Sequence, residues 1–257
     1  MAMVPFLFGV AGRTELSGTA LNRLLGDLGL SASAARALVA RMRRDGSLAS
    51  TRRGRATDYR LAGTFEQAFR RVRDHAERPP STWTGSFHAV LYQVSERHRA
   101  FRDALRRAAL LSGYGLLQHG VLIALTDRTP AIADVLDRRP GEARVFVTSV
   151  GMDTADAARA AATAWDLGGL TLTYRAHVEE LERALADRSD QPAASASTLR
   201  RFADLARAPM TDTLRDPGLP PELLPDGWIG ARLRQVIGEV NARFGPAAVA
   251  YVRAVLD

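Results

Sequence analysis

Seven arginines stand between positions 36 and 55: Arg36, Arg41, Arg43, Arg44, Arg52, Arg53 and Arg55. A guanidinium is a planar fork of N–H donors that keeps its charge at any physiological pH. Its geometry suits two acceptors at once, such as a pair of phosphate oxygens or the O6/N7 edge of guanine. Ser31, Ser33 and Ala37 lie among these arginines. Small side chains let a helix come close to base edges, and a hydroxyl bonds to bases of either kind. The chemistry on offer is recognition of a polyanion. Ser33, Arg36, Ala37 and Arg41 are the expected base readers, and Arg43, Arg44, Arg52, Arg53 and Arg55 the expected phosphate holders.

Such side chains need rigid elements to aim them. Ser31–Gly46 reads as a helix with Ala35, Leu38, Val39 and Met42 in one apolar stripe. Ser31 stands where an N-cap belongs and Gly46 where the helix stops. Upstream, Ser17–Leu28 forms a second amphipathic helix carrying Leu21, Leu24, Leu25 and Leu28, and Gly29-Leu30 makes the tight connection. Downstream, Ser47–Arg52 and Thr57–Leu61 read as two strands around Arg53-Gly54-Arg55, a hairpin with a basic tip. Val4–Ala11 supplies a first, apolar helix. Helix, turn, basic helix and hairpin make a winged helix-turn-helix.

The charge is distributed as that reading requires. All 35 basic residues are arginine, and the chain of 257 residues carries a formal net charge of +7. Residues 1–60 hold ten arginines against four acids, so nearly the whole surplus sits in the first quarter of the chain. A confined surplus is the electrostatic footprint of a nucleic-acid partner. The absence of cysteine excludes disulfides and thiolate metal sites. His75, His88, His98, His119 and His177 show no metal-ligand spacing, so no metal or cofactor is expected. No nucleophile elbow, HExxH or Walker loop occurs, which argues against an enzyme. Val4–Ala11 has no basic residue ahead of it and is too short for a signal segment, and no run reaches membrane-span length. A cytoplasmic protein with no membrane partner is expected.

The rest of the chain divides at composition shifts. Thr64–Glu77 reads as a charged helix ended by Arg78-Pro79-Pro80-Ser81. Trp83–Val94 alternates as a strand, Glu96–Ser112 is an Arg-rich helix, and Tyr114–Gln118 and Val121–Thr126 are strands. Pro130–Arg138 follows as a helix and Ala143–Val150 as a strand. That order is the ferredoxin-like βαββαβ arrangement. Thr154–Trp165, Leu170–Arg188 and Thr198–Thr213 read as helices, with a small-residue linker at Ser189–Ser197. Asp216–Gly230 is proline-rich and ordered by its Leu and Trp side chains. Ala231–Asp257 supplies one or two helices interrupted at Gly245-Pro246. The expected fold is α+β multidomain: a winged helix over 1–63, a connecting helix and linker over 64–80, a ferredoxin-like domain over 81–152, and a helical C-terminal domain over 153–257.

Over nearly its full length the sequence resembles the PaaX-type transcriptional repressors. The resemblance is carried by Ala35-Arg36-Ala37 with Arg41-Met42, Arg53-Gly54-Arg55 with Tyr59-Arg60-Leu61, and Trp83-Thr84-Gly85. It continues through Glu96, Arg99, Arg102 and Leu105, then Gly113-Tyr114-Gly115 and Trp165-Asp166-Leu167 with Tyr174. The ordered stretch Asp216-Pro217, Leu219-Pro220, Leu223-Leu224-Pro225, Trp228 and Gly230 is the most specific part. The resemblance implies a homodimer on a palindromic operator in double-stranded DNA. It also implies release by an acyl-CoA thioester such as phenylacetyl-CoA, for which Trp165, Tyr174 and Trp228 are the candidate effector-binding residues. An effector-independent DNA-binding regulator is the alternative. Ser47 and Ala40 depart from the family's usual aromatic and small hydroxyl, which bears on operator sequence. The central segment also resembles small CRISPR-associated ferredoxin-like nucleases. Gln93 stands where those place a metal-binding Asp, and a neutral amide cannot supply the charge that holds a divalent cation.

Overall fold

The computed structural model describes residues 3–54, 56–63, 66, 82–187 and 191–257. The expected helix Thr64–Glu77, apart from Glu66, and its ending lie outside them, as do Arg55 and the first two residues of the linker. The chain begins with α1 (Met3–Ala11), β1 (Leu16–Ser17), α2 (Gly18–Asp27) and α3 (Ala32–Arg44), followed by the strands β2 (Leu48–Arg53) and β3 (Ala56–Leu61). Ser17 and Ser31 fix where α2 and α3 start. The Ala20 N–H donates to Ser17 Oγ and the Ala34 N–H to Ser31 Oγ, each at 3.2 Å. Both serines thereby satisfy a donor that a helix start leaves unpaired. Between the helices, Gly29 adopts φ +95°, a left-handed conformation that side chains resist. The three strands form an antiparallel sheet in the order β1-β3-β2, with Leu48 opposite Leu61 and Arg53 opposite Ala56.

The central segment holds β4 (Ser86–Gln93), α4 (Arg99–Leu111), β5 (Gly115–Gln118), β6 (Val121–Ala124), α5 (Ala133–Leu136) and β7 (Arg144–Gly151). Its sheet runs β5-β6-β4-β7 with every neighbouring pair antiparallel, the order that a ferredoxin-like βαββαβ unit requires. Alternation along β4 divides its side chains between two cores. Phe87 and Ala89 join Ile123 and the alanines of α6 (Thr154–Ala164), while Val90 and Tyr92 join Leu105, Ala109, Tyr114 and Ile132. The expected helix Pro130–Arg138 is a 3-10 turn (Thr129–Ile132) followed by the short α5.

Three helices complete the chain: α7 (Leu167–Ala186), α8 (Ala196–Asp212) and α9 (Gly230–Leu256). The expected interruption at Gly245-Pro246 is overturned, since α9 runs through Pro246 without a break. Val240, Phe244, Ala248 and Val252 form one buried face at four-residue spacing on both sides of that proline. Burying that face offsets the lost backbone bond, roughly 3 kcal/mol. The proline-rich stretch does pack through its leucines, Leu219 and Leu223, onto the α6 cluster.

Two compact units result. One gathers Met1–Arg70, Thr173–Thr213 and Ile229–Asp257; the other gathers Arg71–Leu172 and Leu214–Trp228. In the first, α1 and α2 share their core with α8 and α9, and Phe6 meets Phe202 edge-on at 5.3 Å. No helix among the described residues is long and apolar enough to cross a membrane.

Candidate nucleic-acid interface

Helix α3 buries Ala35, Leu38, Val39 and Met42 and leans mainly on α2 and β2. Its other side is open. Ser31, Ser33, Arg36, Ala37, Arg41, Arg43 and Arg44 are all exposed, as is Ala40. The stripe that the sequence predicts to face inward therefore leaves the predicted readers outward. Among the described residues, Arg36, Arg41, Arg43 and Arg44 have no carboxylate within ion-pair distance. Arg41, Arg43 and Arg44 occupy the last turn, where cations complement the negative end of the helix dipole. Their charge is thus compatible with the helix and uncommitted to an acid.

In the hairpin, Arg52 is exposed and its Nε donates to the Gly54 carbonyl at 3.2 Å. Gly54 takes φ +63° at the tip. That bond uses the Arg52 Nε and leaves its two terminal nitrogens without a partner among the described residues. Arg53 ends β2, and Arg55 lies outside the described residues.

Of the three aromatics proposed for an effector, Trp165 and Trp228 fall in one compact unit and Tyr174 in the other. Trp165 and Trp228 pack against the same cluster, in which Trp165 lies 6.1 Å from Phe87, and the Trp165 indole N–H finds no acceptor among the described residues. Tyr174 belongs to the other compact unit, is 0% exposed, and donates its hydroxyl to the Asp212 carbonyl at 3.3 Å. In the same unit His177 Nε2 meets Asp212 Oδ2 at 2.8 Å. Tyr174 acts there as a core residue with a satisfied hydroxyl.

At the end of β4, Gln93 is exposed and the nearest acids are engaged. Arg102 donates to Glu96 at 2.8 Å, which holds the Glu96 carboxyl below its ordinary range, and Arg99 lies 3.4 Å from Asp103. Among the described residues no group of three His, Asp or Glu side chains is placed to hold a metal ion.

Sequence reasoning passed over Asp27. It ends α2, half-buried, with its backbone carbonyl accepting from Arg200 Nε and its carboxylate from the Tyr251 hydroxyl, both at 2.9 Å. A signal was present: a carboxylate in the last turn of a helix opposes the dipole and needs a partner.

Three family models match the chain in order. A PaaX-like protein model covers residues 7–65, the PaaX protein central Cas2-like domain covers 80–162, and the PaaX-like protein C-terminal domain covers 165–254. Together with the βαββαβ sheet they define a mixed α/β protein of several modules built around a Cas2-like centre. The chain belongs to the PaaX family, and that membership points to a transcriptional regulator. A solved structure of uncharacterized protein Rv0674 from Mycobacterium tuberculosis is similar in fold, with a TM-score of 0.59 and 24% sequence identity, covering 98% of this chain and 96% of that one. None of the curated proteins matches the chain.

Proposed function

We propose that this protein is a transcriptional repressor that binds a palindromic duplex operator as a homodimer. The first 63 residues act as a winged helix-turn-helix, α3 as the helix in the major groove, and the β2–β3 hairpin as the wing. Ser33, Arg36, Ala37 and Arg41 read bases. Arg43, Arg44, Arg52, Arg53 and Arg55 hold phosphates, and Ser31 caps the reading helix. The single observation that carries this reading is the exposed face of α3, with four arginines that have no acid partner among the described residues. The remaining modules are the linker over 64–80, the Cas2-like domain over 81–152 and the helices over 153–257.

Selection of duplexes from a random library by the purified full-length chain tests the proposal. A selected site with two inverted half-sites supports it. Failure to enrich any duplex, even in dilute buffer, refutes it. Release by a small effector is a separate clause that rests on family membership. If phenylacetyl-CoA neither shifts the melting temperature nor weakens binding to the selected duplex, that effector clause falls and a constitutive regulator remains.

A further inference from the structure

The reading helix takes its pose from what lies behind it. Helix α3 leans on α2 and β2, and α2 also packs against α8 and α9. The tightest polar hold falls on one residue, Asp27, two positions before the glycine that turns the chain into α3. Its carbonyl, one of the acceptors a helix end leaves unpaired, receives Arg200 Nε from α8. Its carboxylate receives the Tyr251 hydroxyl from α9. Two helices from the far end of the chain thus grip both ends of one residue. The Arg200 guanidinium also lies beside the turn itself: a Cβ on Gly29 would stand 3.8 Å from Arg200 Cζ.

Helix economy does not explain Asp27. At the C-terminal end a carboxylate is repelled by the dipole, so Asp27 costs α2 stability unless the Tyr251 hydroxyl meets it. The geometry gives that grip leverage. Thirteen residues of α3 span about 20 Å, so a pivot of roughly 10° at the turn would move Arg41 by about 2–3 Å. A displacement of that size breaks a base contact, because an N–H···O hydrogen bond holds only over about 2.7–3.2 Å. Backbone phosphate contacts through long arginines tolerate it.

We propose that Arg200 and Tyr251, acting through Asp27, are positioning residues that set the pose of α3 for sequence-specific reading. The inference rests on the reading of α3 as a DNA-recognition helix. It assigns to the C-terminal helices a part in specificity without any contact to the duplex.

The test uses the full-length chain with Arg200→Ala, Arg200→Lys and Tyr251→Phe, each measured on the duplex selected by the wild type and on a scrambled duplex of equal length. Arg200→Ala and Tyr251→Phe are expected to weaken binding to the selected duplex by about 3- to 30-fold. Binding to the scrambled duplex and its salt dependence stay unchanged. Arg200→Lys, which restores a donor to the Asp27 carbonyl, recovers most of the loss. Equal losses on both duplexes, or no loss on either, overturn the proposal. Hydrogen exchange without DNA supplies a readout independent of the DNA assignment. Amides of residues 28–36 exchange faster in Arg200→Ala than in Arg200→Lys, while the α8 amides do not change. Unaltered exchange at the turn overturns the clasp itself. A loosened turn beside a wild-type chain that selects no duplex leaves the clasp standing and defeats only the assignment to DNA.

Discussion

Replacing Arg43, Arg44 and Arg52 together by alanine separates phosphate holding from every other role of these residues. All three side chains are exposed, and no acid among the described residues lies in ion-pair range of Arg43 or Arg44. Loss of these side chains therefore leaves no buried charge behind, and surface changes of this kind usually move stability by less than about 0.5 kcal/mol each. Two of the positions are helical, where alanine is the best helix former, although the lost cations at the helix end remove a few tenths of a kcal/mol. On duplex DNA each phosphate neutralised contributes about 0.9 to the slope of log affinity against log salt. Three lost contacts flatten the slope by about 2.7. A roughly fourfold rise in salt then weakens the parent by about 40-fold more than it weakens the variant, so the gap between them closes as salt rises. Fluorescence anisotropy on one labelled duplex across a salt series measures this, with a melting curve on each protein as the control for folding. An unaltered slope would refute the assignment of these three side chains to phosphates. A parallel drop in affinity at constant slope would refute it too, because only released counterions change the slope.

Arg36→Ala should behave differently, relaxing discrimination at one operator position at a cost of about 1–3 kcal/mol while leaving the salt slope nearly intact, as a repeated library selection will reveal. Gly115→Ala should destabilise the central unit by about 1–3 kcal/mol, because the new methyl would sit 2.7 Å from the Trp165 ring and 2.8 Å from the Ala164 methyl, with no flexible side chain to yield; differential scanning calorimetry of variant and parent decides it. Burial first, then the bond to Asp27 and its charge, raise the Tyr251 pKa above 10, so the folded chain keeps that proton more tightly than the unfolded one. Stability from this source is complete below pH 10 and is lost as pH climbs through the raised value. Chemical denaturation from pH 9 to 11 should therefore show a shallower decline in Tyr251→Phe than in the parent, and equal declines would exclude the linkage.

Local features were legible in the sequence, for physical reasons that act over a few residues. Ser31 announces the start of α3 because the hydroxyl competes for a nearby N–H, and the spacing of Ala35, Leu38, Val39 and Met42 shows which face is buried. The alternation in β4 works the same way, and its partners in the sheet followed from the order of elements. Pro246 misled because a local rule met a tertiary one: the buried face from Val240 to Val252 outweighs a missing backbone donor. Tyr174 shows another limit of local reading. Nothing local distinguishes an aromatic that awaits a ligand from one whose hydroxyl is already taken by the Asp212 carbonyl, 38 positions away. The return of α8 and α9 to the N-terminal helices is a property of distant pairs such as Phe6 with Phe202 and Asp27 with Tyr251, which leave no periodicity to read.

Charge distinguishes a clasp that aims the head from one that masks it. The segments 173–213 and 229–257, which share a unit with the basic head, carry ten arginines against nine acids. An inhibitory clamp would have to present acids to Arg36, Arg41, Arg43 and Arg44, and would be felt as a depressed affinity relieved by salt. The contacts that hold α2 are of another kind: an aromatic edge at Phe6, a carbonyl taken by Arg200, and one carboxylate taken by a phenol. These are short-range and directional, and they leave the field of α3 facing solvent. A near-neutral clasp of that sort can change the angle of the reading helix without changing its attraction for phosphate. On the proposed reading, specific binding then depends on the pose of α3 together with Arg36 and Arg41, and non-specific binding on the phosphate-holding arginines.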